Sequence, residues 1–160
     1  IEHLILFFPN SQYTSAPVNI GSASIRGLES TLACSLTRSF RMSASYTYLD
    51  HRDTGPIPYY NGNRLAAQPV HQAMGRLELV QRHWRIEYEL HYIGENYLDR
   101  ANMMEVPARE IQNLLLELSI PSRGFTISFE GRNLGDNQIS DVSGYPLPGR
   151  SFYSTISMTL

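Results

Sequence analysis

Trp84-Arg85-Ile86-Glu87-Tyr88-Glu89-Leu90-His91-Tyr92 decides the fold. In an extended chain Trp84, Ile86, Tyr88, Leu90 and Tyr92 share one side, and Arg85, Glu87, Glu89 and His91 share the other. Apolar and polar residues alternating with a period of two mark a β-strand with one face of each kind. Phe40 to Tyr48 repeats the pattern, with Phe40, Met42, Ala44, Tyr46 and Tyr48 opposing Arg41, Ser43, Ser45 and Thr47. Phe125, Ile127, Phe129 and Gly131 oppose Thr126, Ser128, Glu130 and Arg132, and Phe152 to Leu160 alternates likewise. Weaker patterns predict strands at about 3–8, 22–37, 70–80 and 109–120, the last with Leu114, Leu116, Leu118 and Ile120 on its apolar face. The expectation is eight strands and no helix.

The connections are of two kinds. Thr37-Arg38-Ser39, Gln81-Arg82-His83 and Pro121-Ser122-Arg123-Gly124 are tight. The segments 9–21, 49–69, 94–108 and 134–149 are long and rich in Gly, Pro, Asn, Asp and Tyr. Strict alternation of short and long connections is what an outer-membrane barrel requires, with its short periplasmic turns and long extracellular loops. The strands run ~9–13 residues, enough for a tilted bilayer span, whereas most strands are ~5–6 residues long. Phe40, Trp84 and Phe125 stand beside tight turns, and Tyr48, Tyr92 and Phe152 beside long loops, which makes two aromatic belts.

The charges agree. Arg41, Arg76, Glu78, Arg85, Glu87, Glu89, Arg109, Glu117, Glu130 and Arg132 all fall on polar faces. Only Arg26 and Glu110 break the rule, and both lie near loop ends. A charge facing lipid at the midplane costs ~2–4 kcal/mol, so this sorting suits a barrel with a wet interior. The fold expected is an all-β, antiparallel, up-and-down transmembrane β-barrel, about eight strands of a larger one. Two alternatives stay open. One is a complete small eight-stranded barrel serving as pore or anchor; the other is a soluble β-sandwich binding module, whose apolar faces would be inside.

Composition narrows the function. Among 160 residues, hydrophobic types make up 42% and charged types 18%, below the usual ~25%. The net charge is −2, and all thirteen cations are Arg. That lacks the basic excess of a nucleic-acid binder. The single cysteine, Cys34, excludes an intrachain disulfide and any multi-cysteine metal site; it falls on an apolar face with Leu32 and Leu36. The longest apolar run, Leu4 to Pro9, is far short of a transmembrane helix. His3, His51, His71, His83 and His91 show no metal spacing, no cofactor is implied, and a G-x-S-x-G elbow is missing. The chain is not expected to be an enzyme. It begins inside a strand pattern with no basic leader, as a piece of a longer protein would.

Three motifs resemble a known family. Asn19-Ile20-Gly21-Ser22-Ala23-Ser24-Ile25-Arg26-Gly27-Leu28-Glu29 resembles a strand of TonB-dependent outer-membrane receptors. Asn133-Leu134-Gly135-Asp136 resembles the element that opens their last extracellular loop, and Gly144-Tyr145-Pro146-Leu147-Pro148-Gly149-Arg150-Ser151-Phe152 resembles the entry to their final strand. Among the members, the chain resembles the vitamin B12 and siderophore receptors. The resemblance implies that residues 1–160 are the carboxy-terminal third of a barrel of about 22 strands. The plug domain, the TonB box and the earlier strands then lie outside the sequence. It also implies TonB-coupled uptake of a siderophore, cobalamin or similar metal chelate in the outer membrane of a Gram-negative bacterium. The implied partners are outer-membrane lipid, the TonB system acting through the plug, the extracellular chelate or cobalamin, and the barrel assembly machinery. The family usually ends in Phe or Trp, whereas this chain ends Met158-Thr159-Leu160.

Candidate site residues lie in the long connections. His51, Arg52 and Asp53, with Tyr59, Tyr60, Asn61 and Asn63 downstream, form an aromatic and polar loop suited to catching an anionic chelate or corrin. Structural roles are expected for the motif residues. Gly27 permits close packing or a kink, Glu29 pairs with a luminal Arg, Asn133 and Asp136 cap a turn, and Arg150 beside Gly149 makes a strand-entry ion pair. Met103 and Met104 are expected to pack on neighbouring loops.

Overall fold

The computed structural model describes residues 2–9, 11, 14–138, 140–142, 145, 146 and 148–158. Eight strands form one antiparallel sheet: β1 (Glu2–Pro9), β2 (Ser15–Ser35), β3 (Phe40–Asp53), β4 (His71–Val80), β5 (Trp84–Ile93), β8 (Arg109–Ile120), β9 (Phe125–Arg132) and β12 (Ser151–Met158). Each pairs with its sequence neighbours in the order β1-β2-β3-β4-β5-β8-β9-β12, an up-and-down meander. Two short ribbons stand on the long connections: β6 (Asn96–Tyr97) with β7 (Glu105–Val106), and β10 (Ser140–Val142) with β11 (Tyr145–Pro146). The tight turn at Pro121–Arg123 is one 3₁₀ turn closed by Gly124.

The sheet is a single layer and is not closed, as befits part of a barrel wall. Register joins the apolar positions into one continuous face. Leu32 opposes Ala44, which opposes Gly75, which opposes Leu90. Lower down, Trp84, Leu118, Ile127 and Ile156 form a row across four strands. Nothing in the described residues covers this face: Leu28, Leu32, Leu77, Leu116, Leu118, Phe129 and Ile156 are all exposed. A β-sandwich would bury them under a second sheet. That arrangement is excluded.

The opposite face carries an ionic chain across β3, β4 and β5. Arg41 pairs with Glu78 at 3.3 Å, and Glu78 with Arg85 at 2.9 Å. Arg85 also pairs with Glu87, which lies 3.6 Å from Arg76, and Arg76 donates from Nε to Glu89 at 2.8 Å. Neighbouring strands in register bring opposite charges side by side, the cross-strand pairing that stabilises a sheet.

Two boundaries differ from the sequence expectation. Segment 9–21 is not a long loop, because β2 begins at Ser15 and pairs with β1 from Ser15 to Ser22. Nor does β3 stop at Tyr48; it continues to Asp53, with Asp53 opposite Ala23. Both extensions lie beyond the row Leu28, Tyr48 and His71, where the apolar face ends. Past that row the same face carries Arg26, Asp50 and Arg52, with Arg26 opposite Asp50 in the ladder. Arg52 Nε meets Asp50 Oδ1 at 3.1 Å. Over Asp50–Asp53 both faces carry polar residues, so the period-two signal ends there while the backbone ladder continues.

Candidate ligand-facing loop platform

The described residues buried most completely are not in the sheet's middle. Ala23, His51, Asp53, Leu65, Val70, Asn96, Val106 and Arg109 lie where β3 and the ribbon β6–β7 rise past the end of the apolar face, and Asn133 lies in the last connection. The chain exits β3 with alternating directions, so the sequence triplet divides. His51 and Asp53 turn inward, whereas Arg52 faces outward, bonding Asp50 and donating to the Gly62 carbonyl at 3.1 Å.

Asp53 organises the β3–β4 connection. Its Oδ1 accepts from the Gly55 N–H at 2.7 Å, its own N–H donates to the Asn63 carbonyl, and Gly62 N–H donates back to its carbonyl. Oδ2 accepts from Arg100 Nε at 2.6 Å, a residue of the β5–β8 connection. The Arg100 guanidinium in turn lies 4.4 Å from the Tyr60 ring centre, and Tyr60 packs edge-on against Tyr59. Asn61 Nδ2 donates to the Gly55 carbonyl, which fixes the turn instead of presenting that amide to a ligand.

Further bonds tie the two connections together. Asn63 Nδ2 donates to the Arg100 carbonyl at 3.0 Å. Arg64 and Asn102 bond reciprocally, Arg64 N–H to Asn102 Oδ1 at 2.8 Å and Asn102 Nδ2 to the Arg64 carbonyl at 2.9 Å. Ala67 N–H donates to the Tyr97 carbonyl at 2.6 Å. Asp99 folds its own turn by accepting from the N–H groups of Ala101, Met103 and Met104. Arg109, at the start of β8, donates to Asn96 at 3.0 Å. Asn102 and Ala67 hold left-handed backbone, with φ 57° and 58°. For Ala67 this strain is of order 1–3 kcal/mol, sustained by its surroundings.

On this base the tip is open. Tyr59 is 65% exposed and Met103 76%, with the Tyr59 hydroxyl 3.7 Å from the Met103 sulfur. Met103 thus reaches the neighbouring loop but is not packed beneath it. Met104 and Ile57 are exposed as well. The arrangement offers aromatic and thioether surface at the tip, with the Arg100 guanidinium against Tyr60, while Arg64 pairs with Glu95 at 3.4 Å. Arg100, Arg64 and Asn102 were not legible as site residues, since loops have no periodicity; the turn-forming Asp99 and Asn102 were the one available signal.

The other motif residues close the last connection. Asn133, nearly buried and at φ 49°, donates from Nδ2 to the Asn137 and Pro148 carbonyls at 2.7 and 2.9 Å. Its Oδ1 accepts from Asn137 N–H, and its N–H donates to Asn113 Oδ1 on β8. Asp136 Oδ1 accepts the Arg150 backbone N–H at 2.8 Å, and that bond holds the carboxyl below its ordinary value. The Arg150 guanidinium reaches the Leu134 carbonyl at 3.5 Å. Gly149 lies so close that a Cβ would stand 2.9 Å from Asp136 Oδ1. At Gly27 a Cβ would stand 2.8 Å from the Tyr48 carbonyl. Glu29 is exposed opposite Thr47, and among the described residues no arginine pairs with it.

A single-layer antiparallel wall, apolar on one face and ionic on the other, with interlocked loops at one end, defines part of a β-barrel. The sequence agrees: residues 1–134 match the family described as TonB-dependent receptor-like, β-barrel, and the chain belongs to that family. Solved structures share the fold. The siderophore receptor PiuA of Acinetobacter baumannii superposes with a TM-score of 0.76 at 21% identity, over 89% of this chain and 22% of that one. The ferric yersiniabactin uptake receptor FyuA of Yersinia pestis gives 0.72 at 20%, over 89% and 23%. The copper transporter OprC gives 0.74 at 17%, over 97% and 25%. This chain therefore spans about a quarter of the receptors it resembles. No curated protein sequence matches it. The family and these structures are receptors and transporters, not enzymes.

Proposed function

We propose that the chain is part of the wall of a receptor in the outer membrane of a Gram-negative bacterium, for TonB-coupled uptake of a metal chelate, a siderophore or cobalamin. The apolar face meets lipid, the ionic face lines the lumen, and the platform of the β3–β4 and β5–β8 connections meets ligand outside the cell. Residues 1–160 supply the carboxy-terminal third of the barrel; the plug domain that engages TonB and the earlier strands come from elsewhere in the protein. The barrel assembly machinery inserts it.

The observation that carries this reading is the change in one face at Tyr48. Below it that face is a continuous apolar surface; above it stand Arg26, Asp50 and Arg52. A lipid boundary explains such a change, and a uniformly aqueous surroundings does not. The unpaired outer edges of β1 and β12 favour a larger barrel over a closed small one, since unpaired backbone in lipid costs several kcal/mol per group.

Uptake measurements test the reading. The full-length protein, expressed in an iron-starved host lacking its own receptors, is expected to support energy-dependent uptake of at least one labelled ferric chelate or of cobalamin. Replacing residues 56–61 with a short glycine–serine linker is expected to lower uptake while the barrel still assembles. Unchanged uptake with the platform removed would refute the role assigned to it.

A further inference from the structure

We infer that the β3–β4 and β5–β8 connections move as one body, held shut by the buried His51 imidazole in its neutral form and released by acid. The inference does not depend on which ligand the loops take.

The geometry is specific. His51 is fully buried, and its Nδ1 accepts the Leu65 N–H at 3.0 Å. An accepting Nδ1 is an unprotonated Nδ1, so the bond requires the neutral ring with its proton on Nε2. Protonation at Nδ1 would set a donor against a donor and place a charge in a buried site.

Leu65 is the centre of the segment that joins the loops. Asn63, Arg64 and Ala67 make every hydrogen bond described above from this connection to Arg100, Asn102 and Tyr97, apart from the Asp53–Arg100 pair. Loss of the His51 bond therefore frees the segment on which those contacts depend. The groups facing His51 do not rescue its cation. Arg64, from the loop, and Arg52, on its own strand, oppose a positive charge; Asp50 and the Gln68 backbone favour it. The residue opposite on β2 is the uncharged Ile25.

Burial is the main cause holding the imidazole below its ordinary value of 6.5. A group whose folded value is lowered gives stability that is complete above the unfolded value and declines as pH falls below it. The closed platform is thus stable at neutral pH and loosens in acid.

Hydrogen exchange of the full-length protein in detergent, read by mass spectrometry and corrected for intrinsic rates, tests this. Between about pH 7.5 and pH 5, protection of both 63–67 and 97–102 is expected to fall by up to about thirty-fold, because pH 5 lies well below the ordinary value of 6.5 for a group that must stay neutral. His51→Gln keeps an acceptor and cannot titrate, so its protection should not change with pH. Asn102→Ala cuts the reciprocal pair but leaves the Asn63–Arg100 and Ala67–Tyr97 bonds, so the acid effect at 97–102 should become smaller than in the wild type while that at 63–67 persists. Wild-type protection that is independent of pH would overturn the proposal. So would loss confined to one loop in the wild type, or a full acid effect in His51→Gln.

Discussion

Arg100 Nε meets Asp53 Oδ2 at 2.6 Å across 47 residues of sequence, and Asp53 is only 1% exposed. Removing one member of such a pair leaves a charge without a partner in a buried place, a loss of about 3–5 kcal/mol in comparable cases. Arg100→Gln is therefore expected to open both connections locally, seen as rapid protease cleavage within 54–70. Adding Asp53→Asn should restore part of the resistance, because the stranded carboxylate is then gone. A double variant cleaved faster than Arg100→Gln would mean that the pair is not what holds the loops.

Two glycines, Gly27 on β2 and Gly75 on β4, should respond in opposite ways to the same change. A Cβ on Gly27 would stand 2.8 Å from the Tyr48 carbonyl and 3.0 Å from Leu49 Cδ1, whereas nothing lies within 4 Å of one on Gly75. Gly27→Ala must push β2 from β3, at about 1–3 kcal/mol for overpacking. Gly75→Ala has open space and should be neutral or slightly stabilising. The yield of heat-modifiable, folded full-length protein measures both; equal yields would contradict the close approach.

The last connection should resist mild acid. Asp136 is held below its ordinary value by the Arg150 N–H, so its contribution is complete above the ordinary value of 3.8 and is lost only as pH falls further. Exchange at 133–138 is expected to stay flat between about pH 5 and pH 7.5, in contrast to the His51 region. Asn133→Ala removes donors to two carbonyls and an acceptor, and should loosen the segment at every pH by about 1–3 kcal/mol.

The strands were readable because the sheet has one apolar and one ionic face, which puts different chemistry on alternate residues. That is why Trp84–Tyr92 reveals its pairing and its faces without any contact information. Pro17 and Gly21 break up Ser15–Ser22, so it reads as loop although it pairs with β1. The platform was half legible. Tyr59, Tyr60 and Asp53 stand out by composition, but the partner that holds them, Arg100, belongs to another loop and carries no local signal. His51 was legible as a residue and not as a buried one, because the backbone N–H that meets it belongs to Leu65, fourteen positions away.

The final prediction concerns the two faces directly. Leu90 sits on the apolar face opposite Gly75 and Gln112, and Glu89 on the ionic face opposite Arg76 and Asn113. Leu90→Arg places an ion toward lipid at ~2–4 kcal/mol near the midplane and should block assembly. Glu89→Arg removes a partner from Arg76, but Glu87 remains 3.6 Å from Arg76 and water reaches this face, so the barrel should still assemble. A buried protein core at Leu90 would also reject arginine, so assembly yields alone do not separate lipid from protein contact. A fluorescent probe attached by turns at 88, 89 and 90 in the full-length protein separates them. Lipid-borne quencher should act at 88 and 90, and aqueous quencher at 89. Protection of 88 and 90 from both quenchers would mean that protein covers the apolar face, and its assignment to lipid would fall.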